Sequence, residues 1–152
     1  DYCLQLQINE KLGITYQNSL KQILRHDPDI IMIGEIRDEQ TAKLAITCAL
    51  TGHLVLTTLH SSDCLMTIRR LLNLGVLKID IEDVLVGVLS QKMLYHKYSH
   101  KPLILPEFID RKNVLNYLNN QDFKYHTFSE NVKYLLEKDL VDYRQVTGIG
   151  YE

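Results

Sequence analysis

Leu24 to Asp63, LRHDPDIIMIGEIRDEQTAKLAITCALTGHLVLTTLHSSD, holds two apolar runs separated by a helix-patterned stretch, and that order decides the fold. Ile30, Ile31, Met32 and Ile33 are apolar without alternation, which predicts a strand covered on both faces, as in a parallel sheet flanked by helices. Asp38 is placed to cap a following helix. Its Ala42, Ala45, Ile46, Ala49 and Leu50 form a stripe at helical spacing, and Gly52 is placed to end it. His53 to Leu59 is rich in strand formers, so strand, helix and strand follow in the order of a right-handed βαβ crossover.

In open α/β sheets, ligands lie beyond the carboxyl ends of the strands. Glu35 and His60 occupy two such ends on strands joined by one crossover, so both are expected to face one crevice. An acid directly after a buried aliphatic run can hold Mg²⁺, through a water where necessary, or polarise an attacking water; it can equally be a solvated strand-end glutamate. Arg25 and Arg37 flank Glu35 in sequence and can give planar, charge-assisted hydrogen bonds to phosphate, with surface ion pairs to Asp27, Asp29 or Asp38 as the plainer reading. His60 can donate to a γ-phosphate, whereas His53, at a strand start, reads as structural. Together these features look like half of a nucleotide-hydrolysing site. The other half, a GxxxxGK loop followed by Ser or Thr, is not found: no pair among the seven glycines has that spacing before a lysine.

Upstream, Cys3 to Ile8 alternates and predicts a short strand, followed by a turn at Gly13. Tyr16, Leu20, Ile23 and Leu24 mark a helix over 16–26 that Pro28 stops. Downstream, a helix is expected after Asp63 with Leu65, Ile68, Leu71 and Leu72 inward. Another is expected over about 80–95, on Ile81, Leu85, Val88, Leu89 and Leu94. Beyond Lys97 the pattern predicts a short extended run, Leu103 to Leu105, and two small helices, over 114–118 and 128–140. The expected division is therefore 1–97, an α/β part carrying the motifs, and 98–152, a small, mainly helical appendage. The first residues lie inside strand-like sequence with no methionine, which is the look of an excised piece.

The 152 residues carry a formal net charge of −2, and the longest basic cluster is Arg69–Arg70, so direct nucleic-acid binding is not expected. No run approaches the roughly 20 apolar residues of a membrane-spanning helix, and the first ten lack the regions of a signal peptide. Cys3, Cys48 and Cys64 contain no CxxC and read as free thiols of a reducing compartment. His60 and Cys64 lie four apart but no second pair completes a tetrahedral set, so no zinc site is expected. Ser61 lacks the GxSxG elbow of an activated nucleophile.

With these residues in place, 5–94 resembles the C-terminal, RecA-like P-loop NTPase core of the secretion ATPase superfamily that drives type II secretion, type IV pilus and DNA-uptake machines. LRHDPDIIMIGEIRDEQTAKLAI is similar to that family's Walker B region and TGHLVLTTLHSSD to its histidine box. The resemblance implies ATP and Mg²⁺ as cofactors. It gives Glu35 as the Walker B glutamate, His60 as the histidine near the γ-phosphate, and His53 as the first histidine of the box. It also gives Arg25 and Arg37 as arginines reaching nucleotide from a neighbouring subunit of a hexameric ring. The family's Walker A loop and upstream acidic box are missing and are expected before Asp1. GVLKIDIEDVLVGVLSQKML and RRLLNLGV resemble assembly motors, yet the four-cysteine zinc element of most secretion and pilus members is absent. That combination resembles the competence branch, whose ATPase assembles a pseudopilus for DNA uptake. A type II secretion or type IV pilus motor fragment is the alternative. The resemblance further implies an inner-membrane platform protein as partner, and a cytoplasmic location peripheral to the membrane through such partners. Without the phosphate loop, the segment alone can also be a non-catalytic interaction module.

Overall fold

In the computed structural model, which describes residues 3–147, the spacing of Tyr16, Leu20 and Ile23 closes into α1 (Tyr16–Ile23), opened by the Thr15 hydroxyl, which accepts the Asn18 N–H. A 3-10 turn, Leu24–His26, extends it, and Asp27 leaves the helix in the left-handed region at φ 50°. Next comes β1 (Ile30–Ile33). The helix α2 (Glu39–Leu50) follows, its N-cap Asp38 accepting the Thr41 N–H at 2.7 Å, and then β2 (Leu54–Thr57). Gly52 permits the sharp return between them: its φ of +98° strains any residue with a Cβ. The two strands pair in parallel, Ile30 opposite Leu54 and Ile33 opposite Thr57.

Two expectations fail in this half. Cys3 to Ile8 forms no strand; the isolated bridge of Asn9 with Ile14 lies just beyond it, and alternation without a partner gives no ladder. What was expected of Asp1 and Tyr2 lies outside the described residues. β1 is also not covered on both faces. Ile31 and Ile33 are buried against Ala42, Ala45 and Cys48, while Ile30 and Met32 are 58% and 72% exposed, because the described residues supply a helical layer to one face only.

Beyond β2, Asp63 caps α3 (Cys64–Asn73) by accepting the Met66 N–H at 2.7 Å, and Gly75 turns the chain into α4 (Lys78–Val84). The helix expected over 80–95 ends there and is replaced by β3 (Gly87–Tyr95), antiparallel to β4 (Pro102–Asp110) with Gly87 opposite Asp110 and Tyr95 opposite Pro102. The short run expected at Leu103 to Leu105 is thus the middle of a nine-residue strand. Val88 and Leu94 face inward with Leu105 and Ile109, a period of two that pairing enforces over the imperfect helical spacing. Gly87 sits close to its partner strand: a Cβ there would stand 3.0 Å from the Phe108 ring and 3.2 Å from the Ile109 carbonyl, so the ring would have to yield. The His96 N–H donates to the Lys101 carbonyl, which fixes the ladder parity; Pro102 and Pro106 then fall where no donor is required. The outward amide of Tyr95 is met by Gln145, whose side chain accepts its N–H and donates to its carbonyl.

The described residues finish with α5 (Arg111–Leu118), α6 (Phe128–Glu137) and α7 (Tyr143–Thr147), the first two at the places the apolar spacing marks. The expected division after residue 97 falls in the turn of the β3–β4 hairpin, so both sides share one ladder. The buried side chains also cross it: Ile109, Val114 and Leu118 join the main core with Ile31, Ile68 and Ile81, and Leu94 joins the smaller core of Leu105, Phe128, Val132, Val141 and Val146. No helix among the described residues is long and apolar enough to cross a membrane.

Candidate functional site

Parallel pairing of β1 and β2 puts their carboxyl ends side by side, and two backbone-level contacts stitch the loops that follow. The Thr58 hydroxyl donates to the Gly34 carbonyl at 2.6 Å, and the Ile36 N–H donates to the Thr58 carbonyl at 2.9 Å. Glu35 and His60 are thereby brought together, with His60 Nε2 3.3 Å from Glu35 Oε1. Arg37 turns back onto the same carboxylate, its Nε and Nη2 at 2.7 and 2.6 Å from Glu35 Oε2. Glu35 is recessed, with 22% of its side chain exposed, whereas Arg37 and His60 are 78% and 88% exposed.

The Arg37 hydrogen bond holds the Glu35 carboxyl below its ordinary value of 4.5; desolvation opposes this in part, and the charges of Arg37, His60 and Arg70 add to the lowering. The same hydrogen bond raises Arg37. The arrangement is a fixed carboxylate rimmed by two exposed cationic or hydrogen-bonding groups, able to orient water and to receive an anion. Asp38 is not the partner of Arg37: it caps α2, and the Thr41 backbone N–H lowers its own carboxyl.

Arg25 does not join this cluster. It lies on the 3-10 turn before β1, exposed, and lines a separate cleft of about 530 Å³ with Asn18, Ser19, Lys21 and Gln22. His53 stands at the opposite end of β2, with Nδ1 3.0 Å from the Cys48 carbonyl and 3.2 Å from the Thr51 hydroxyl. Ser61 and Ser62 spend their hydroxyls on the start of α3, at Thr67 and Asp63. Cys64 is fully buried; its thiol, pushed up by burial, donates to the Val88 and Glu107 carbonyls. No group of three or more His, Cys, Asp or Glu residues among the described residues is placed to hold a metal ion.

Two residues near this region escaped the sequence reading. Arg70, noted there only as half of a basic pair, lies in the last turn of α3 with its charge acting on Glu35. Glu107 is 3% exposed on β4 and accepts the Cys64 N–H. A lone acid at an inward position of an alternating strand is a detectable signal, lost when 102–110 is not read as a strand.

The sequence profile described as type II/IV secretion system protein matches residues 1–138. The chain is similar to "Competence protein ComGA" of Bacillus subtilis (strain 168), 50% identical over 91 residues, which is 60% of this chain and 26% of that protein. It is 46% identical over 117 residues to the protein of the same name from Halalkalibacterium halodurans, 77% of this chain and 32% of that one. "Type IV pilus assembly ATPase PilB" of Thermus thermophilus is 49% identical over 96 residues, 63% of this chain and 11% of that protein. The chain thus spans about a quarter to a third of the competence proteins it matches. Among solved structures, the Legionella pneumophila ATPase DotB superposes with a TM-score of 0.73 at 25% identity, over 89% of this chain and 42% of that one, which places the α/β arrangement within that fold.

Proposed function

The chain belongs to the type II/IV secretion system protein family, and from that premise we propose that it is part of an ATP-hydrolysing motor that couples hydrolysis to assembly of a pseudopilus for DNA uptake. The single observation that carries the enzymatic reading is the Glu35 carboxylate, recessed at the end of β1 and held by Arg37 beside His60. The names of its relatives support it: two are competence proteins, and others are a type IV pilus assembly ATPase and the ATPase DotB. The lack of a four-cysteine element favours DNA uptake over a type II secretion or pilus motor; identity does not separate them, at 50% and 46% to the competence proteins and 49% to the pilus ATPase.

The donor set fits a magnesium nucleotide. Mg²⁺ takes one or two carboxylates together with phosphate oxygens and water, so Glu35 would hold it, directly or through a water. When bound, the ion supplies neutralisation of phosphate charge. Glu35 orients the attacking water, His60 donates to the terminal phosphate, and Arg37 offers its unused N–H groups to phosphate oxygens. Arg25, exposed and apart from the cluster, suits contact with the nucleotide of a neighbouring copy in a homo-hexamer. The ring would work in the cytoplasm, at the membrane's inner face, against an inner-membrane platform protein.

In the longer parent protein, Glu35→Gln is expected to cut ATP turnover by about 10³, equivalent to roughly 4 kcal/mol of barrier, while equilibrium ATP binding persists. Near-normal turnover would sink the assignment. The missing GxxxxGK pattern favours a second reading for residues 1–152 alone, a non-catalytic interaction module. The purified chain is then expected to show no Mg-dependent hydrolysis, and robust turnover would overturn the view that the phosphate loop is indispensable.

A further inference from the structure

Glu107 is a carboxylate buried to 3% exposure on β4, and its two oxygens are divided between two helices. Oε1 accepts the N–H of Cys64, the first residue of α3, at 2.8 Å; Oε2 accepts the N–H of Phe128, the first residue of α6, at 3.0 Å. Both helices already have their own caps, Asp63 on the Met66 N–H and the Thr127–Glu130 capping box. The positive amino ends of two helices offset the cost of burying the charge. Glu107 therefore acts as a clamp between elements 43 and 21 residues away from it in sequence.

One end of the clamp lies next to the candidate site. His60 precedes Cys64 by four residues. The segment between is anchored in front through the Thr58–Gly34 and Ile36–Thr58 hydrogen bonds, and behind through Ser61 on Thr67 and Asp63 on Met66. The rear anchors all belong to the first turns of α3, and Glu107 ties that turn to α6. The Cys64 thiol closes the same seam by donating to the Glu107 and Val88 carbonyls.

We propose that Glu107 is a positioning residue that couples the His60-bearing segment to helix α6, so that displacement of either is felt by the other. The functional weight of this coupling rests on the reading of His60 as a nucleotide contact; the clamp itself does not.

The test is amide hydrogen exchange on the full 152-residue chain. In Glu107→Ala, residues 58–64 and 127–129 are expected to exchange about tenfold faster together, the scale set by losing buried charge-assisted hydrogen bonds. Val114→Ala, which trims the main core and removes neither Glu107 hydrogen bond, is expected to leave those two segments no more affected than the rest. Glu107→Gln keeps the shape but replaces one accepting oxygen with a donor, and is expected to speed exchange in the same two segments by about threefold. If either Glu107 variant loosens only one segment, or loosens the chain as evenly as Val114→Ala does, the clamp is overturned. If the paired loosening is found but His60→Ala leaves nucleotide affinity of the longer parent unchanged, the nucleotide reading fails and the clamp stands.

Discussion

At the residue scale, Glu35 is the acid whose surroundings matter most, since one guanidinium makes both of its short contacts. Because Arg37 depresses the folded Glu35 carboxyl below 4.5, the interaction contributes to stability above that value and is lost as pH falls through the lower, folded one. Arg37→Ala is expected to return the Glu35 midpoint upward towards 4.5 in a carboxyl ¹³C NMR titration, and to flatten the acid side of the stability curve. An unmoved midpoint would detach the pair. Glu35, Arg37 and His60 were legible beforehand because each lies within a few residues of a strand end, and parallel pairing of adjacent strands brings such ends together. Arg25 was not separable from them in sequence. The sequence already places it before β1, but only the fold shows that it lines another cleft.

At the element scale, the hairpin is where local pattern and tertiary pairing part. The helix expected over 80–95 rests on Leu89 and Leu94 alike; the strand puts Leu94 in the smaller core, 2% exposed, and leaves Leu89 57% exposed. Leu94→Ala is expected to cost about 2–5 kcal/mol in urea unfolding, and Leu89→Ala no more than about 0.5 kcal/mol. Equal costs would restore the helix. The helices α2 and α3 were readable because their signals are short-range: Asp38 and Asp63 each precede a helix that begins at the next residue; α6 was read from its apolar spacing, and the structure adds its Thr127 cap.

Across the whole molecule, both two-stranded sheets carry one packed and one bare apolar face, the latter formed by Ile30, Met32, Leu54 and Leu56 in one, and by Leu89, Met93, Ile104 and Phe108 in the other. Exposed apolar surface of this kind binds hydrophobic dyes and drives association. Met32→Lys is expected to lower anilinonaphthalene sulfonate fluorescence of the 152-residue chain while changing its unfolding free energy by less than about 0.5 kcal/mol. A loss of several kcal/mol would mean that the face is covered within the chain.

The sequence by itself determined the βαβ unit, the caps and breaks that bound its helices, and the acid, arginine and histidine at its strand ends. All of these depend on neighbours a few residues apart, where spacing and side-chain chemistry act directly on the backbone. The tertiary structure alone decided which face of β1 is buried, that 87–95 is a strand paired with 102–110, and that Glu107 binds the first turns of two helices. Those outcomes depend on partners beyond the reach of one helical turn, from 7 residues away in the hairpin to 43 at Glu107, whose contacts exist only once the chain has folded back on itself, and an apolar run carries no mark of which of its faces will find them.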